Sequence, residues 1–171
     1  MAAFALSEAT GWSIVPSTIL RDGPLGPGMV QLWIDPDPEA DVIEIITTAD
    51  ERLRRVCVFD VLANNADRKG GHLLAMADGH IYGVDHGICF SAEPKLRTVL
   101  WAWRGQALSD DEAAVVRRVC DALDAELGEE LSALLSPAEL AATKQRTSAL
   151  VASGRFPQPD PHRPAIPWPP F

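Results

Sequence analysis

Between two strongly apolar stretches the chain carries Asn64-Asn65-Ala66-Asp67-Arg68-Lys69-Gly70-Gly71-His72, a run too polar and too rich in glycine to be mere padding between core elements. A loop of this composition is expected to bind something. Eighteen residues after Asp67, Val84-Asp85-His86-Gly87 puts a second acid at the end of a strand-like run, just before a glycine that lets the backbone turn away. Between the acids, the apolar runs Leu73 to Met76 and Ile81 to Val84 flank Asp78-Gly79, a hairpin signal. The hairpin is expected to return the chain so that Asp67 and Asp85 converge.

Two carboxylates side by side repel, and without a cation between them one takes up a proton. Magnesium suits such a pair: it prefers hard oxygen ligands and is held by one or two carboxylates together with substrate phosphates. Phosphoryl transfer further requires an acid or base that orients the attacking hydroxyl. The pair supplies both functions.

Elsewhere the pattern predicts mostly helix. Met1 to Thr10 reads as a short uncapped helix closed by Gly11. Ser13 to Leu20 and Met29 to Ile34 read as two strands, with the glycine- and proline-rich Arg21 to Gly28 as their turn. Asp35-Pro36-Asp37-Pro38 breaks the second strand. Thr48-Ala49-Asp50-Glu51 has capping-box spacing, which predicts a helix from Asp50 to Leu62 with Asp60 on its apolar face and in need of a buried partner. Ser109-x-x-Glu112 and Ser136-Pro137-x-Glu139 open two more helices, the second closed by Gly154. From Pro157 seven of fifteen residues are proline, so the tail is extended, and Trp168 and Phe171 are expected to bury their rings on the body.

Composition narrows the partners. With 24 acidic against 15 basic residues the formal charge is −9, which argues against a broad electrostatic grip on nucleic acid or an anionic membrane. No apolar run has the length of a membrane span and the N-terminus lacks a signal-peptide pattern, so the expected compartment is the cytoplasm. Cys57, Cys89 and Cys120 are too widely spaced for a zinc or redox motif and are expected to be buried thiols. Abundant alanine and arginine hint at a GC-rich bacterial genome.

The order helix, polar loop with Asp, hairpin, Asp-x-Gly is that of the catalytic half of a kinase-like fold. Asn65-Ala66-Asp67-Arg68, Val84-Asp85-His86-Gly87 and Trp101-Ala102-Trp103 resemble the phosphatidylinositol 3- and 4-kinase-like family, in particular the type II phosphatidylinositol 4-kinase branch and its bacterial relatives, from about Met1 to Leu108. The resemblance implies an α+β protein-kinase-like fold: a kinase-like domain over 1–156, with a remnant hairpin of the N-terminal lobe in 1–34, a hinge or linker in 30–40, a mainly helical C-terminal lobe in 41–156, and a proline-rich tail in 157–171. It further implies ATP and magnesium, or manganese, as cofactors. Asp67 becomes the catalytic base and Asp85 the metal ligand, and the strand Val30 to Ile34 becomes the hinge, with Leu32 and Trp33 lining the adenine pocket and Leu74 its floor. Arg68 beside the base is expected to steer the transferring phosphate, with Lys69 as an assisting charge. The acceptor is a lipid or protein hydroxyl.

The chain also departs from that pattern. His72 stands where the family places an asparagine as second metal ligand; a manganese ligand, a phosphate contact and a satisfied loop histidine all remain open for it. Trp101-Ala102-Trp103-Arg104 reads equally as core aromatics at a helix start, and neither His80 nor His86 is assigned catalytic work. The glycine-rich loop is missing, and the three lysines, Lys69, Lys95 and Lys144, all lie outside any early strand. The family's nucleotide lysine therefore has no counterpart. A truncated pseudokinase or nucleotide-binding module without turnover is the alternative function.

Overall fold

The helices are α1 (Ala2–Thr10), α2 (Val42–Thr47), α3 (Leu53–Ala63), α4 (Asp110–Leu123), α5 (Glu126–Ser132) and α6 (Pro137–Ser153). The strands form two antiparallel pairs, β1 (Thr18–Gly23) with β2 (Gly26–Gln31) and β3 (Leu73–Ala75) with β4 (Ile81–Gly83). The computed structural model describes residues 1–171 and is a mixed α/β fold. One contiguous core runs from Leu6 of α1 through Val56, Phe59 and Leu62 of α3 to Val116, Val119 and Leu123 of α4 and Leu150 of α6. β3 and β4 add Leu73, Ala75 and Ile81 to it. No helix is long and apolar enough to cross a membrane.

The cap signals in the sequence are realised where nothing competes with them. Ser109 and Glu112 form a reciprocal capping box at α4, as do Ser136 and Glu139 at α6, and Gly11 and Gly154 close α1 and α6 in the left-handed conformation. The expected box at Thr48–Glu51 does not form. The Asp50 carboxylate instead accepts the Arg52 N–H at 3.0 Å and pairs with the Arg52 guanidinium, a local bond that competes with helix entry, so α3 starts at Leu53. Thr48 instead closes the short α2, which the sequence pattern did not reveal.

The first hairpin is tighter and later than expected. Thr18 pairs with Gln31 and Gly23 with Gly26, so the turn is only Pro24-Leu25, and Arg21 to Gly23 and Gly26 to Gly28 belong to the ladder. Pro24 pre-sets the first central position and Gly26 takes φ 104°, while in a two-strand ribbon Pro27 sits on an edge where no donor is missed. Ile14 and Val15, expected in the strand, are buried in extended chain against the core. Ile19, Leu20, Leu25 and Met29 are more than half exposed. Nothing backs this ribbon.

The tail does lie back on the body, but not by burying its terminal rings. Phe156 and Pro167 are buried, whereas Trp168 is 88% and Phe171 52% exposed. Hydrogen bonds to the strap's own carbonyls hold it instead: Thr98 N–H and the Trp101 indole N–H both donate to the Ala165 carbonyl, and Gly70 N–H donates to the Pro170 carbonyl. Among the cysteines only Cys57 is fully buried; Cys89 and Cys120 are partly exposed, and all three are free.

Glu112 joins three parts of this scaffold. Its carboxylate accepts the Ser109 N–H at 2.8 Å and both Nε and Nη2 of Arg54 at 2.8 Å, and that guanidinium stacks 4.9 Å from the Phe156 ring. Removing the acid leaves a mostly buried guanidinium with only the exposed Glu51 carboxylate, at 3.5 Å, and breaks the half of the capping box that satisfies the Ser109 N–H. We expect Glu112→Ala to lower stability by about 2–4 kcal/mol in urea unfolding, and Glu139→Ala, in the exposed box of α6, to do much less.

Candidate functional site

The loop after α3 is organised from the inside. Asn64 closes the helix with φ 51° and ψ 50°; its side chain donates to the carbonyls of Ser91 and Glu93 and accepts the Lys95 N–H. Asn65 donates to Asp60 and accepts the Asp67 N–H at 3.0 Å, which fixes the backbone at the candidate base. Both asparagines are buried. Asparagine adopts the left-handed conformation more readily than most residues and its amide carries both donors and an acceptor, which explains why two stand here in succession.

Arg68 is the buried partner that Asp60 requires. Both side chains are fully inaccessible, and Nε and Nη2 of Arg68 bond the Asp60 carboxylate at 2.9–3.2 Å. The rest of the guanidinium donates to the carbonyls of His72 and Val84 and to Nε2 of His86. An arginine held on all sides cannot meet a transferring phosphate, so the expected phosphate-steering role of Arg68 is corrected to a structural one. Gly83 makes room for it: a Cβ there would lie 3.0 Å from Nη2.

Because a guanidinium only donates, Nε2 of His86 must be an acceptor and the ring proton sits on Nδ1. Burial, reinforced by the Arg68 charge, drives the His86 pKa down to about 2. The ring is neutral at physiological pH and packs edge-on against Phe59. His86 thus has a structural task, consistent with its having no catalytic assignment.

Asp67 and Asp85 are the acids this network leaves available. The Asp67 carboxylate is partly exposed and has only Lys69 Nζ near it, at 3.6 Å. Asp85 follows β4 with φ 54°, an unusual backbone for a non-glycine residue, and its side chain is 66% exposed. His72 Nε2 lies 3.5 Å from Asp85, and both Asp67 and Asp85 act electrostatically on its ring. Asp85 therefore lies beside His72, and Asp67 lies within electrostatic range of the same ring. Burial lowers the His72 pKa more than the acids raise it, so the ring is neutral at pH 7.

A cleft of about 500 Å³ opens beside Asp85, bounded by α1, by Thr18, Met29 and Gln31 of the first hairpin, and by Gly87 and Phe90. The expected adenine contacts lie elsewhere. Leu32 and Trp33 project past the end of β2, 59% and 83% exposed, with the Trp33 indole bonded to Asp35, and Leu74 is half-buried on β3 outside the cleft. The strand ends one residue before Leu32, so the faces that meet the cleft belong to Met29 and Gln31. No three His, Cys, Asp or Glu side chains form a metal cage. Two hard carboxylates with open coordination fit magnesium that is completed by water and phosphate, and they fit a transition metal poorly.

No family model matches the chain. Protein Rv2133c of Mycobacterium tuberculosis is 41% identical over 206 aligned residues, which take in the whole of this chain and 74% of that protein. The chain belongs to the Rv2133c family. An identity of this level over the full chain carries the fold across the Rv2133c family, whereas the chemistry has to be argued from the site itself.

The sequence did not disclose the division of labour inside the loop. Asp60 and Arg68 are eight residues apart, across a helix terminus, and only the turn at Asn64 makes them neighbours. We expect Arg68→Met to cost about 3–5 kcal/mol, because Asp60 is left charged and buried, and Asp60→Leu/Arg68→Met to recover most of that loss; urea unfolding of the three proteins tests it. A second expectation concerns pH. Above about pH 6.5 His86 is neutral in both folded and unfolded chains; below it the unfolded chain takes up a proton that the folded one refuses, so stability falls with pH. Between pH 7 and 5 the loss for this one ring is about 2 kcal/mol. In metal-free buffer His86→Asn, which keeps an acceptor for Arg68, should flatten that slope.

Proposed function

We propose that the protein is a magnesium- and ATP-dependent phosphotransferase of the phosphatidylinositol 3-/4-kinase-like type. The supporting observation is that Asp67, in the loop after a helix, and Asp85, at the end of a hairpin and beside His72, keep solvent-accessible carboxylates while Asp60, Arg68 and His86 around them are engaged in the scaffold. In this reading the fold is kinase-like, with β1–β2 as the remnant roof of the nucleotide cleft and the helices as the C-terminal lobe.

Asp67 accepts the proton of a lipid or protein hydroxyl, and its backbone is fixed for that task by Asn65. Asp85, on its strained backbone, presents a carboxylate to the cation at the mouth of the cleft. Magnesium, when bound, neutralises charge on the phosphates. Lys69 supplies a positive charge beside the base. Thr18 and Gln31, bonded to one another at 3.0 Å, line the cleft with polar atoms where the nucleotide would lie.

A second reading, nucleotide binding without turnover, is favoured by one feature: the only cation on the β1–β2 ribbon is Arg21, and no lysine stands there to hold the phosphates. Positioning and charge stabilisation supply most of phosphoryl-transfer catalysis, so a chain without that lysine transfers phosphate slowly.

ATP with magnesium should raise the melting temperature, and Asp85→Asn should abolish the rise; equal shifts in both proteins would remove the metal assignment. Asp67→Asn should keep the shift and lower phosphate transfer to phosphatidylinositol vesicles or protein acceptors by about 10²–10⁴-fold. A thermal shift with no transfer from the unaltered protein selects the binding module.

A further inference from the structure

A cavity of about 630 Å³ lies apart from the cleft beside Asp85. It lies between the segment 94–97, α6 and the C-terminal strap, and none of Asp67, His72 or Asp85 lines it. Its walls invert the charge balance of the chain. Lys95, Arg97, Arg146 and Arg163 face it against a single acid, Asp160, in a protein that carries 24 acids to 15 bases.

The two inner arginines are short of acceptors. Arg97 donates Nε to the Ala66 carbonyl at 2.7 Å, which orients its fork, and its two terminal amino groups have no bond. Arg146, largely buried, rests on the Leu62 carbonyl and Thr143 hydroxyl, with a long 3.5 Å approach to Ser91. Neither has a carboxylate within 4.0 Å, as every salt bridge in the molecule involves other cations. Burial pulls Arg146 down to about 10, so it is still cationic at neutral pH, and a buried cation without an anion is an unstable arrangement that a bound anion relieves. At the rim Lys95 and Arg163 lie 3.5 and 3.9 Å from Glu93, which is exposed enough to swing aside, and Arg163 is also 3.7 Å from the half-exposed Asp160.

Apart from the amides of Asn64 and Gln158 the remaining lining is mostly apolar, with Trp101, Ile88, Leu96 and the prolines of the strap. Guanidinium forks match phosphate geometry, and a cavity of this size takes a small organic ligand with an apolar or flat body. An extended polyanion is disfavoured by the net charge of −9 and by the walled shape. We propose that this cavity is a binding site for a small phosphate-bearing molecule, whose phosphate lies between Arg97 and Arg146 and whose body lies on Trp101 under the strap. The site is not an acceptor site for the carboxylate pair, and it stands whether or not the phosphotransferase reading does.

Phenyl phosphate, a dianion on a flat ring, is the probe. Calorimetry at constant ionic strength, without ATP or divalent metal, should show saturable one-to-one binding of phenyl phosphate, weaker binding of inorganic phosphate and none of phenol. Arg97→Gln should weaken it at least tenfold. Arg163→Gln, at a 45% exposed position, tests the rim with little risk to folding and should weaken it severalfold. Asp85→Asn should leave it unchanged, which separates this site from the carboxylate pair. The proposal is overturned if phenyl phosphate fails to bind at millimolar concentration, if both arginine variants bind it as well as the parent, or if Asp85→Asn abolishes binding. Sedimentation with phosphatidic acid vesicles that depends on the same arginines would move the phosphate to a membrane and equally overturn the small-molecule assignment.

Discussion

Everything around the two available acids is referred to one buried guanidinium. Arg68 reaches the carboxylate at the end of α3, the carbonyl of His72 at the start of β3, and the carbonyl of Val84 and ring of His86 on either side of Asp85. Five donors in a rigid plane thus fix three chain segments that are distant in sequence. An apolar residue of equal volume would fill the same space without bonding these backbone carbonyls, and removing either member of the pair leaves an uncompensated buried charge. Asp67 and Asp85 each neighbour a residue in that network, and their placement follows from it.

The polarity of the loop was the sequence signal that drew attention to it, and most of that polarity turns inward. Asn64, Asn65 and Arg68 are buried and satisfied; only Asp67, Lys69 and His72 retain partial access. Residue type alone could not separate the two sets, because an arginine next to a candidate base has the same letters whether it faces phosphate or a buried aspartate. The legible clue was Asp60, an acid on an apolar helix face, which demanded a cation from somewhere. The nearest cation past the helix turn was Arg68, and assigning it to Asp60 would have removed it from the chemistry.

For the fold, the elements read correctly were those whose signals are local and unopposed: capped α4 and α6, the Asp78-Gly79 hairpin, and α1 with its closing glycine. The misplaced ones depended on competition. Asp50 drew Arg52 into a local bond and shifted the start of α3, and glycines and prolines that spell a loop were accommodated in a ribbon with two free edges. The strap lies on the body as its composition suggests, but the Trp168 ring stays in solvent and the Phe171 ring only rests on Gly70, while bonds from Thr98, Gly70 and the Trp101 indole to strap carbonyls hold it. Such bonds leave no trace in side-chain pattern. The basic cavity was illegible for a related reason: Lys95, Arg97, Arg146 and Arg163 are spread over nearly seventy positions and meet only because the strap returns.

The two sides of the cleft differ in how firmly they are set. The acid side is built on inaccessible ionic and amide contacts, whereas the opposite side is a two-stranded ribbon whose apolar residues lie largely in solvent. An isolated two-stranded hairpin is marginally stable by itself, so the conformation of Met29 and Gln31 follows whatever covers or fills the cleft. Met29 and Gln31 can therefore adapt to a ligand while Asp85 stays where Arg68 and His86 hold its neighbours. Affinity in such a cleft is limited by ordering the ribbon rather than by moving the acids, because each side chain immobilised on binding subtracts about 0.5–1.5 kcal/mol from the gain. A ligand that bridges both sides gains the most from the arrangement, since it supplies the apolar and polar contacts that the ribbon lacks.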